Sequence, residues 1–191
     1  MTTNPETFDI ESWLKDAALP EESAVVYKRP DVLAELTDLK HRIELERKID
    51  AEERTSADAS KAKKLEAEYE KLLQVFSDSA ITVYVQAQSE DRLQELREQN
   101  AKTFKDLDED AARVASGYVF IAASIVAVKP ANGERIPATF TPEALKALEK
   151  AIGVPQVQLI TVARQKAQNL VPEVDADFLH KRSGINAGSQ G

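Results

Sequence analysis

Two histidines, a surplus of carboxylates and scattered serines are the groups from which this chain could build a catalytic centre. Nucleophilic catalysis needs a nucleophile beside a base. His41 sits among charged neighbours in a helical pattern and reads as a solvated face residue. His180, in the triplet His180-Lys181-Arg182, reads as loose basic surface or a partner contact. Neither has a second histidine at metal-ligand spacing. Glu44, Glu46 and Asp50 could act as acid and base only where their environments separate their pKa values, and a hydrated helix supplies no such contrast. The chain has no cysteine, which excludes disulfides, thiolate chemistry and cysteine-based metal sites. Gly117 and Gly133 are isolated, and Gly184–Gly191 lacks the Lys and Ser/Thr of a phosphate loop. These residues predict no enzyme and no cofactor.

Charge narrows the partners. The net charge is −8 and charged residues make up 30% of the 191. A diffusely acidic surface repels nucleic acid and anionic lipid. Lys61, Lys63 and Lys64 form the best basic cluster, but Glu66, Glu68 and Glu70 follow directly, so it reads as a solvated helix. Val114–Val128 is uncharged yet shorter than the ~20 residues of a spanning helix, and reads as a buried helix. Met1–Phe8 is polar, with no apolar signal segment. The expected location is the cytoplasm, with neither nucleic acid nor membrane as a partner.

The elements follow from periodicity. Asp9 suits the N-cap of a short amphipathic helix ended by Pro20. Residues 24–28, AVVYK, and 81–85, ITVYV, read as strands. Val32, Leu36, Leu39 and Ile43 repeat at four, three and four, and so do Leu65, Tyr69, Leu72 and Phe76. The two seams share a centre at position 54, beside the turn-forming Thr55–Ser60, which predicts an antiparallel helical hairpin. A continuous helix over 31–77 in a dimeric coiled coil is the alternative. The same centre would place Tyr27 opposite Ile81, joining the strands antiparallel at the base of the arm.

Ser89 suits the cap of a helix over 90–99, with Leu93 and Leu96 inward. Residues 102–110 read as a polar bend and 111–128 as one apolar helix. Thr141, Pro142 and Glu143 open the next helix, whose stripe is Leu145, Leu148 and Ile152 and whose stop is Gly153. A last helix starts near Pro155 and ends before Pro172. The fold predicted is mainly α with a minor two-stranded antiparallel β element, a helical hairpin arm projecting from a small helical body. Residues 1–30 form an N-terminal helix and strand, 31–78 the arm, 79–172 the body and 173–191 a flexible tail. Val174, Phe178 and Leu179 are the apolar residues of that polar tail. They are the candidate partner-binding residues, against the plainer reading that they pack on their own body.

Three stretches carry a resemblance to a known family. FDIESWLKDAALPEESAVVYKRPDVLAELTDLKHRIELE holds a helix with Trp13, then Leu19-Pro20-Glu21, a strand, Arg29 to Asp31 and a long charged helix. ITVYVQAQSEDRLQELREQN gives a strand and a short helix, and DADFLHKRSG an acidic-aromatic segment before the polar end. This order resembles tail assembly chaperones of long-tailed phages infecting actinobacteria. The motifs are loose and specify architecture more than chemistry. The resemblance implies a protein that binds the tape measure protein in the infected cell, keeps its long helices soluble and delivers it to tail tube subunits. It also implies a longer form made by programmed frameshifting.

Two other readings fit the same pattern. One is a structural head or tail accessory protein retained in the virion; the other is a bacterial coiled-coil adaptor. Short apolar seams can pair within or between chains, so a homo-oligomer is compatible with all three.

Overall fold

In the computed structural model the described residues are 9–15, 17–52 and 56–170, without the side chains at 49–52 and 56–60. They form seven helices and four strands. In chain order these are α1 (Ile10–Leu14), β1 (Glu21–Tyr27), α2 (Val32–Glu52), α3 (Ser56–Asp78), β2 (Ala80–Gln86), α4 (Glu90–Thr103), α5 (Glu109–Ser124), β3 (Ile125–Pro130), β4 (Ile136–Pro137), α6 (Pro142–Ile152) and α7 (Val154–Asn169).

The four strands make one antiparallel sheet in the order β1-β2-β3-β4. This corrects the expected helical body with a two-stranded element: the fold is α+β. The error lies in residues 111–128. The apolar run is not one helix, because α5 stops at Ser124 and Ile125–Pro130 continues as β3 with no intervening loop. A short apolar run does not distinguish a buried helix end from a buried strand by periodicity. The β-branched Ile125, Val126 and Val128 decide it for the strand. β4 holds only two residues, too few for a sequence pattern.

Alternation along the strands sets the two faces of the sheet. Ala24 and Val26 of β1 and Val83 and Val85 of β2 are buried with Ile125 of β3. Against them pack Leu145 and Ile152 of α6 and Val157, Ile160 and Ala163 of α7, with Tyr118 and Ile121 of α5 alongside. Leu145 and Ile160 are completely enclosed. Burying each such side chain stabilises the fold by roughly 1.5–3 kcal/mol. On the other face, Arg135 makes a bidentate bond to Glu21, 2.8 and 2.6 Å, and lies 4.2 Å over the Tyr84 ring.

Local signals fix the helix ends. Asp9 accepts from the Glu11 and Ser12 amides, Ser89 Oγ from the Arg92 amide, Asp108 from the Ala111 amide and Thr141 from the Ala144 amide. Between α6 and α7 the chain turns on one residue, Gly153, whose φ of 87° and ψ of 154° suit glycine.

Between β1 and β2 the chain leaves the sheet as α2 and returns as α3. Leu39, Ile43 and Leu65 form a second apolar cluster, with Tyr69 and Leu72 against it. Lys61 bonds Glu46 at 2.6 Å and Arg47 bonds Glu66 at 2.8 Å across the two helices. At the base, Tyr27 and Phe76 stack with centroids 4.2 Å apart, and the Lys28 amide donates to the Ser79 carbonyl. The strand register is one residue from that expected: Tyr27 faces Ala80 and Val26 faces Ile81. A helix seam and a strand ladder need not share a centre: four residues, 28–31, join β1 to α2, against the three of 77–79 between Phe76 and β2. The slip matters because a one-residue shift exchanges the faces of a strand.

Candidate partner-binding surfaces

The described residues among those singled out for chemistry form no catalytic grouping. His41 is exposed on α2, as is Glu44, and Glu46 is taken by Lys61. His180 and the tail residues Val174, Phe178 and Leu179 lie outside the described residues. Among the described residues no three His, Asp or Glu side chains converge as a metal site. None of their helices is long and apolar enough to cross a membrane.

A concavity lies between α4 and α5. Leu93, Leu96 and Asn100 recur at three and four and turn one face of α4 inward. Ala112, Ser116 and Phe120 recur at four along α5. Between the two helices lies a cleft of about 290 Å³, lined by Arg97, Asn100, Ala101 and Phe104 on the α4 side and by Ala112, Ser116 and Phe120 of α5. It exists because Ala101, Ala112 and Ser116 are small where two helices would otherwise fill the space.

Polar atoms punctuate the cleft. Asn100 is only 7% exposed, and its Nδ2 has no hydrogen-bond partner. A buried unpaired amide costs about 1–3 kcal/mol, so a donor held there is primed for an incoming carbonyl or carboxylate. Arg97 is drawn to Glu90 at 2.6 Å. Arg164 of α7 lies 5.5 Å from the Phe120 ring centre, and its Nε is also buried without a partner. Burial pushes the Arg164 pKa below the ordinary arginine value.

A smaller cleft of about 240 Å³ opens between the start of α4 and the sheet, lined by Leu19, Gln88, Arg92 and Val126 among others. The backbone of Gln88 is clamped by the Gln168 side chain, with both bonds 3.0 Å. Gln88 Oε1 is buried and unpartnered. Near the start of the chain α1 carries Ile10, Trp13 and Leu14, all more than half exposed.

Sequence reasoning missed the α4–α5 cleft. Phe104 was assigned to a polar bend and Phe120 to an undivided apolar helix. The four-residue spacing of Ala112, Ser116 and Phe120 was the available signal, but two small residues in a stripe ordinarily mean close packing. Comparison with protein-family models, curated proteins and solved structures returns no match for this chain.

Proposed function

We propose that this chain is a tail assembly chaperone that holds a helical client, the tape measure protein, by an apolar stripe seated in the α4–α5 cleft. The observation that supports this reading is the cleft itself: a trough between two helices lined by Phe104 and Phe120, with an unpaired donor on its wall. An amphipathic helix is recognised by such a groove through side chains spaced one turn apart. Each large apolar side chain seated there gains roughly 1.5–3 kcal/mol, and Asn100 Nδ2 gains a partner when a client oxygen approaches. The client itself is named from the sequence resemblance. The charge of −8 favours solubility of a complex that carries an otherwise sticky client to the tube subunits.

Ala101→Glu is the discriminating variant, since Ala101 is exposed on α4 and borders the cleft. On coexpression, wild-type protein is expected to bring the tape measure protein into the soluble fraction as a complex. Ala101→Glu is expected to leave it in the pellet while remaining folded by circular dichroism. A client that stays insoluble with the wild type would remove the chaperone reading; one solubilised equally by both would move the site off this cleft. Stoichiometric presence of the chain in purified virions would favour a structural role instead.

A further inference from the structure

The sheet ends differently on its two sides. On the far side β4 is two residues long and includes Pro137, which blunts the edge. On the near side β1 runs seven residues. The register orients its backbone: Val26 bonds towards Ile81 and Lys28 towards Ser79, so Glu21, Ser23, Val25 and Tyr27 turn their amides and carbonyls outward. Of those outward amides, Tyr27 donates to Gln156 Oε1 at 3.0 Å, while Ser23 and Val25 make no hydrogen bond in the described structure. Val25 is 42% exposed.

We propose that this edge pairs with β1 of a second copy of the chain, antiparallel about a two-fold axis at Val25. The sequence favours that register. Antiparallel self-pairing about Val25 sets Ser23 opposite Tyr27, Glu22 opposite Lys28 and Glu21 opposite Arg29, each twice. Glu21 and Arg29 already hold Arg135 and Asp31. Glu22 and Lys28 make no ion pair in the described structure, and the second copy supplies one to each. The hydrogen-bonded positions also agree. Val25 exchanges both bonds with its own copy, and the Ser23 amide meets the Tyr27 carbonyl, the Tyr27 amide staying with Gln156.

Helix α7 extends the interface. Gln156 reaches the β1 edge from α7, and Leu159 and Val162 follow it on the side turned from the core, 44% and 38% exposed. Two copies joined at β1 would bring these side chains of both α7 helices together beneath a continuous sheet. A ladder alone buries little; this apolar stripe supplies the non-polar centre that a stable interface needs.

Two sets of variants test the register in the full chain. Glu22→Lys and Lys28→Glu each place like charges opposite one another twice. Each is expected to raise the dimer dissociation constant about tenfold in sedimentation equilibrium. The double variant Glu22→Lys/Lys28→Glu restores opposite charges and is expected to recover the wild-type value. Because the chain has no cysteine, Val25→Cys introduces a single thiol. The proposed register sets the two Cα atoms about 5.5 Å apart, within disulfide reach, and mild oxidation is expected to give a covalent dimer. Ser23→Cys, about 13 Å from its copy, is expected to give none. A wild type that sediments as a monomer, a double variant without recovery, or equal crosslinking of both thiols would each overturn the proposal. So would a monomer whose Ser23 and Val25 amides resist exchange, which would show the edge to be occupied within a single chain.

Discussion

Gly153 has no loop around it to share the turn between α6 and α7. At φ 87° and ψ 154° a Cβ is strained whatever space surrounds it, although the nearest atom, Pro155 Cδ, lies 3.6 Å away. Gly153→Ala is therefore expected to lower stability by about 1–3 kcal/mol in urea unfolding, while Ala151→Gly, two residues earlier and exposed, lowers it by about 1. Tyr118 offers a pH-dependent test. Its hydroxyl donates to Glu149 Oε1 at 2.7 Å, and this bond, with burial and the carboxylate charge behind it, raises the phenol above its ordinary pKa. A raised pKa in the folded state contributes stability that is complete below the ordinary phenol value near 10 and is lost as the pH climbs through the folded value. Tyr118→Phe removes that contribution. Wild type and variant are expected to differ at pH 8 and to converge as the pH climbs past the folded phenol's raised value, when melting temperatures are compared across the alkaline range.

Elements divide into those with local punctuation and those defined by what they touch. Thr141 caps α6 and Ser89 caps α4, and both starts were readable because a cap is a property of four adjacent residues. Thr141→Ala is expected to cost about 1 kcal/mol by thermal melting. The boundary between α5 and β3 was unreadable for the opposite reason. Ser124 bonds the Ile121 carbonyl within the helix, yet the strand beyond it exists because β2 offers Val83 and Tyr84 as partners. Pairing across the sheet, absent from a local window, overrode the apolar continuity. The candidate cleft was hidden similarly: Asn100 and Phe120 are distant in sequence, and only the packing of α4 on α5 makes neighbours of them. The apolar seams of α2 and α3, by contrast, were visible residue by residue, and Leu39, Ile43 and Leu65 are buried at those positions.

At the scale of the whole molecule the described residues form two apolar clusters of unequal size. The sheet and three helices enclose the larger, and α2 and α3 share the smaller. Local opening follows the smaller reserve of buried area. Leu39→Ala is expected to cost about 2–5 kcal/mol locally and to speed amide exchange through α2 and α3. The amides of β2 and β3 should keep their wild-type protection, measured by hydrogen exchange with mass spectrometry.

The helical pair interrupts two strands that are neighbours in the sheet, and that has a kinetic consequence. Residues 28–79 separate Tyr27 from Ala80, so β1 and β2 cannot meet by closing a tight turn. While those residues are unstructured, their ends must find each other at the entropic cost of a long loop. Once α2 and α3 zip together, the Tyr27–Phe76 stack brings both strands to one place and the cost has been met in small local steps. The pair thus acts as a folding clamp for the sheet. Leu39→Ala is expected to slow refolding in stopped-flow measurements by a larger factor than a sheet substitution of equal equilibrium cost, such as one at Val128. An equal or smaller effect would mean that the sheet assembles first and the helices close over a loop already drawn shut.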